Sequence, residues 1–132
     1  MERNAMIIID THVLIWLRSN ATDRLSPSAK KVIENADIIG IPAICLWEVA
    51  MLSAKGRITL HLPFYDWFDE IFDDPRYQLI PINIAIAERS GDLSMHGDPA
   101  DRLIVATALI YGTKLVSADR LIRDLGILSV IW

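Results

Sequence analysis

The chain has 132 residues, of which 52% are hydrophobic and 23% charged, and a formal net charge of −4. This composition supports a single ordinary domain with a substantial core and excludes intrinsic disorder. No apolar run reaches the roughly 18 residues needed to span a bilayer, a lone cysteine excludes an internal disulfide, and the acidic balance argues against binding through a simple basic patch.

Met1 to Ala5 differ in character from the apolar run after them and read as a disordered leader or a cloning remnant, with Met6 as an alternative natural start. The run Met6 to Ile9 is too short for a signal peptide and is cut by Asp10, so the chain reads as cytoplasmic. That run is a short buried strand, and Thr11 to Arg18 continues in helical spacing through Val13, Leu14, Ile15 and Leu17. Ser26-Pro27 supplies an N-cap and a proline at the first helical position, opening a helix to about Ala36. Asp37 to Ile41 is a second strand, and Pro42 opens a helix to Lys55 that Gly56 ends. Leu62 to Phe72 is an aromatic-rich amphipathic helix. Tyr77 to Ile82 is a third strand and Asn83 to Leu93 a further helix. Asp98-Pro99 begins a helix to about Tyr111, ended by Gly112. Lys114 to Ser117 is a strand, Asp119 to Asp124 a short helix, and Leu128 to Ile131 a last strand.

Short apolar strands alternating with longer helices, with no repeat or linker, predict one α/β domain over 1–132. Its mostly parallel central sheet of four to five strands is covered on both faces. Ligands of such folds bind beyond the carboxyl ends of the strands.

Four carboxylates lie at the ends of, or inside, apolar segments. Asp10 closes Met6-Ile7-Ile8-Ile9, and Glu48 lies within Ile44 to Leu52. Asp101 precedes Leu103-Ile104-Val105-Ala106, and Asp119 comes directly after Lys114 to Ala118. Buried carboxylates are normally paired, protonated or bound to metal, and together these four account for the whole net charge. Asp10 and Asp119 also read as helix or turn caps, and Asp98 as the cap of the helix it precedes. Asp101 could complete a capping box at the third helical position, where the helix dipole favours its charge. Glu48 has only Ile44, Cys45, Met51 and Leu52 at helical neighbour positions, leaving an ion pair from another segment as its ordinary explanation. Ser117 reads as a cap of the same turn as Asp119 or a hydrogen-bonding partner of a ligand.

Other chemistries find little support. His12, His61 and His96 are scattered without zinc-ligand spacing. Nucleotide-binding glycine loops and a nucleophile elbow are missing. Cys45 reads as a core thiol, and Trp16, Trp47, Trp67 and Trp132 read as core or interface residues because none lies in a basic stretch.

The segment Ile7-Ile8-Ile9-Asp10-Thr11-His12-Val13-Leu14-Ile15-Trp16 resembles the opening of PIN domains. Leu46-Trp47-Glu48-Val49-Ala50 resembles their second acidic motif, His96-Gly97-Asp98-Pro99-Ala100-Asp101-Arg102 with Leu103 to Ala108 the third, and Leu115-Val116-Ser117-Ala118-Asp119 the fourth. The order is right and nearly the whole chain is covered. Asp-Thr-His and Asp-Pro-Ala-Asp-Arg are similar to the VapC-type toxins of bacterial toxin–antitoxin pairs.

The resemblance implies a three-layer α/β/α sandwich and an endoribonuclease dependent on one or two Mg²⁺ or Mn²⁺ ions. Asp10, Glu48, Asp101 and Asp119 would be catalytic metal ligands, with Thr11, Ser117 and Asp98 around them. It also implies an RNA substrate, a cognate VapB-like antitoxin and a homodimer. Carboxylate oxygens suit hard cations, and because the carboxylates repel one another, metal should stabilise the fold. Arg102, Arg120, Arg123 and Lys114 are candidate phosphate contacts, or else a solvated surface. Two other readings stand beside this one. The first is a nuclease acting on other RNA or on DNA in processing; the second is a non-catalytic binding module with a vestigial acidic site, using Leu62 to Phe72 as its interface.

Overall fold

The structure, a computed structural model, describes residues 4–132. Five strands form one sheet: β1 (Asn4–Ile9), β2 (Ala36–Pro42), β3 (Tyr77–Ile80), β4 (Lys114–Val116) and β5 (Val130–Ile131). Their order is β3-β2-β1-β4-β5 and every neighbouring pair is parallel. Among the described residues, seven α-helices flank the sheet to give the α/β/α architecture: α1 (Thr11–Arg18), α2 (Pro27–Asn35), α3 (Ile44–Ala54), α4 (Phe64–Phe72), α5 (Ile84–Asp92), α6 (Pro99–Tyr111) and α7 (Arg120–Arg123).

Central placement explains the apolar run in β1. Ile7, Ile8 and Ile9 are all fully buried because helices cover both faces, each side chain contributing about 1.5–3 kcal/mol of burial. Ile39 and Ile41 of β2, Leu115 and Val116 of β4, Ile104 and Val105 of α6 and Trp67 of α4 complete the same core. Gly40 marks a close approach: a Cβ there would lie 2.6 Å from Cδ1 of Ile8. The expected caps form, with Ser26 Oγ accepting from the Ala29 N–H at 3.0 Å and Gly112 ending α6 at φ 61°.

Several element ends differ from expectation. β1 begins at Asn4, which pairs with Ala36, so the strand takes in two residues of the expected leader; Met1 to Arg3 lie outside the described residues. Pro42 ends β2 rather than opening α3, and the Ala43 N–H donates to the Ile80 carbonyl at 2.8 Å. Ile8 pairs with Gly40, so Pro42 stands level with Asp10, past the end of β1, where no ladder bond requires a donor. The turn at Thr22–Arg24 is a short 3-10 helix that propensity alone does not reveal.

From β1 the chain moves to β2 and β3 on one side, then returns to β4 and β5 on the other. This reversal of strand order opens a crevice at the carboxyl ends of β1 and β4, where open α/β sheets bind ligands.

Candidate active site

Asp10 and Asp119 stand at that edge. Asp10 comes directly after β1, and its backbone N–H donates to the Val116 carbonyl at 3.2 Å. Its Oδ1 accepts from the Val13 N–H at 2.9 Å, capping α1, and the Ser117 hydroxyl also hydrogen-bonds its carboxyl. Asp119 repeats the device after β4, its Oδ1 accepting from the Ile122 N–H at 3.1 Å to cap α7. Fully buried Ser117 joins the two, since its Oγ accepts from the Asp119 N–H at 3.1 Å.

Glu48 and Asp101 arrive from helices. α3 packs against both α1 and α6, which turns Glu48 toward the edge, where the Thr11 hydroxyl donates to Oε1 of Glu48. Asp101 lies in the first turn of α6. Asp98 caps that helix, its Oδ1 accepting from the Ala100 N–H at 3.0 Å and the Asp101 N–H at 3.3 Å. The Asp101 side chain does not return a capping-box bond. Instead the Asp98 N–H donates to Nδ1 of His96 at 3.3 Å, and Nε2 of His96 stands 3.4 Å from Oδ2 of Asp101.

The four carboxylates therefore line one cavity of about 400 Å³, together with Thr11, His12, Trp16 and Asp98. Burial raises the pKa of Asp10, against the bonds from Ser117 and Val13. Burial likewise raises that of Glu48, against the Thr11 bond. Asp101 is pushed up to about 7, by burial first and then by the charges of Asp98, Asp119 and Glu48. Among the described residues, lysine and arginine are absent from the cavity wall.

The donor chemistry fits a hard divalent cation, because the cavity offers carboxylate oxygens and burial makes the unpaired charges of Asp10, Glu48 and Asp101 costly. Yet among the described residues no three acidic, histidine or cysteine side chains already stand as a closed metal cage.

The family model of the PIN domain matches residues 7–128. The chain belongs to the PIN domain family. This PIN domain is 38% identical over 118 residues to Ribonuclease VapC22 of Mycobacterium tuberculosis (strain ATCC 25618 / H37Rv), covering 89% of this chain and 90% of that protein. Among solved structures it is similar to a toxin–antitoxin complex from Klebsiella pneumoniae, with 25% identity, a TM-score of 0.67 and 96% of each chain covered. It is also similar in fold to VapBC2 from Rickettsia felis bound to a DNA fragment from their promoter. That match has 18% identity and a TM-score of 0.67, over 95% of this chain and 96% of that one.

The basic residues of the PIN domain divide between its interior and its surface. The guanidinium of Arg102, a candidate phosphate contact, is engaged inside the protein. Nε donates to the Ser90 carbonyl at 2.9 Å, Nη1 to Met95 and His96 at 2.9 and 3.2 Å, and Nη2 to Gly91 and Leu93 at 3.2 and 2.8 Å. All five donors are thus spent on the connection between α5 and α6. Lys114 opens β4 and so lies at the opposite end of that strand from the carboxyl edge, while Arg120 and Arg123 are exposed on α7. Cys45 is fully buried and burial pushes its thiol up, as expected of a core residue.

Sequence reasoning places none of His96, His12 or Trp16 at the site, yet all three reach the carboxylates or their cavity. The available signal for His96 is its place two residues before a helix cap, where the chain folds back over the first turn.

Proposed function

We propose that this PIN domain is a metal-dependent endoribonuclease and the toxin of a VapBC-type pair. The observation that carries the reading is the convergence of Asp10, Glu48, Asp101 and Asp119 on one cavity at the carboxyl edge of the sheet. Kinship with a ribonuclease and with toxin–antitoxin complexes supports the substrate and the partner. Among the described residues no helix is long and apolar enough to cross a membrane; we place the protein in the cytoplasm, as a homodimer held by its antitoxin.

Asp10, Glu48, Asp101 and Asp119 would hold one or two Mg²⁺ or Mn²⁺ ions. When bound, such a cation supplies Lewis-acid chemistry, acidifying water and offsetting the charge of a phosphodiester. The chain's own residues do the rest. Ser117 and the Val13 N–H fix the Asp10 carboxylate, and Thr11 fixes Glu48. His96, its Nδ1 occupied by the Asp98 N–H, places Nε2 3.4 Å from the Asp101 carboxylate. His12 and Trp16 form one side of the cavity, beside the carboxylates.

Side-by-side assays with single-stranded RNA and single-stranded DNA test the proposal, in Mg²⁺, in Mn²⁺ and in EDTA. Internal cleavage of RNA that stops in EDTA is expected. Cleavage that persists in EDTA, or that prefers DNA, would falsify it.

A further inference from the structure

A second cavity of about 380 Å³ adjoins the first and shares Glu48 and Asp98 with it. Its remaining wall combines three kinds of side chain. Trp47, 55% exposed, stands on the solvent side of α3, one residue from Glu48. Met51, Leu52 and Pro99 form an apolar surface, and Lys55 and Arg57 bring two cations.

Ordinary structural roles leave much of this unexplained. Lys55 at the end of α3 suits the helix dipole, but Arg57 lies beyond the helix, past Gly56 at φ 69°. α3 buries Cys45 and Val49 toward the core, so the fold does not require a tryptophan at position 47. Among the described residues, the carboxylate cavity itself lacks the cations that a polyanionic strand needs on either side of its reacting phosphate.

We propose that the second cavity holds the nucleotide of a single-stranded RNA that adjoins the scissile phosphate, its base stacked on Trp47 and its outer phosphate against Lys55 and Arg57. The proposal rests on the ribonuclease reading. Only the outer phosphate meets cations of the chain itself, Lys55 and Arg57, whereas the carboxylates under the reacting phosphate would suit it through the cation they hold. Aromatic stacking accepts any base, since every base has a π-face, so this subsite supplies grip and register rather than recognition of one base.

The test uses the full chain in Mg²⁺ and a fluorescein-labelled single-stranded oligoribonucleotide. Cleavage is measured with the unmodified active site, and binding in an Asp101→Asn background that holds the RNA without turnover. Adding Trp47→Ala is expected to weaken binding about 5- to 150-fold, the scale of one lost base stack, and Trp47→Phe to recover most of it. Lys55→Ala with Arg57→Ala should lower the slope of log affinity against log salt by about 1.4, two phosphate contacts' worth on a single strand. A matching thermal midpoint for each variant separates lost contact from lost fold. Unchanged affinity and slope, in a chain that does cleave RNA, overturn the subsite and leave Trp47 as a protein-docking residue. If the chain without substitutions neither binds nor cleaves the oligonucleotide, the ribonuclease reading falls and this inference falls with it.

Discussion

Asp10 and Asp119 each follow a strand and cap the next helix, whereas Glu48 and Asp101 project from α3 and α6 and cap nothing. The first pair would be retained by the fold even without a ligand, because each satisfies a backbone donor that the helix leaves open. For the second pair the fold shows no comparable return. Glu48 has the hydroxyl of Thr11 and Asp101 has the ring of His96, and both carboxyls are shifted toward protonation by burial and by neighbouring charge. A carboxylate that opposes the fold is thus a better pointer to function than one that helps build it.

The largest expected effects test this division. Glu48→Gln and Asp101→Asn should each lower RNA cleavage by about 100-fold or more, the scale of losing one group that stabilises developing charge. Their thermal midpoints without metal should equal or exceed that of the parent. Asp10→Ala should lose activity and also about 1–2 kcal/mol of stability, the worth of a cap, while Asp10→Asn keeps the cap and loses only activity. Thermal melts in EDTA beside cleavage assays in Mg²⁺ read both quantities. If Asp101→Asn melted as early as Asp10→Ala, the two pairs would not differ in kind.

Legibility in the chain divides along the same line. The β1–α1 unit is legible because a continuous apolar run of this length suits a strand buried on both faces, and Asp10-Thr11 marks where it stops. The second acidic position is legible by contrast, a lone charge among Ile44, Cys45, Met51 and Leu52. That same uniformly apolar α3 conceals Trp47, since a helix without a polar face gives no sign of which side meets solvent. Arg102 escapes sequence reasoning because its partners are carbonyls of an irregular connection whose path no periodicity encodes. His96 escapes it for the same reason: its value lies in where a short loop places it.

Arg102 gives the next test, smaller in scale. Arg102→Ala should destabilise the fold by about 2–4 kcal/mol, because hydrogen bonds from a charged donor are worth about 1.5–3 kcal/mol each and the carbonyls left behind are only partly reached by water. Arg102→Lys should recover little, since an ammonium cannot serve five acceptors in a plane. Denaturant midpoints measure the loss, and RNA binding measured well below the transition should keep the parent's salt slope. A variant of undiminished stability with a reduced slope would return Arg102 to the phosphate contacts.

The smallest expected effect is the dependence of metal-free stability on pH. The Asp101 carboxyl, ordinarily near 3.8, holds its proton in the folded state up to about 7. Between those values the folded chain binds more protons at this group than the unfolded chain does, so raising pH favours unfolding. The contribution of Asp101 is most favourable below about pH 4, declines through that window and is level above about pH 7. Asp10 and Glu48, shifted in the same direction, steepen the decline. Melting in EDTA from about pH 5 to about pH 8 should therefore show the parent losing a few degrees more than Asp101→Asn, on the scale that links stability to midpoint. Mg²⁺ competes with these protons, so the rise in midpoint on adding it should grow over the same window. Parallel curves for parent and variant would mean that Asp101 ionises without strain, and the contrast between carboxylates that build the fold and those that oppose it would then rest on Glu48 alone.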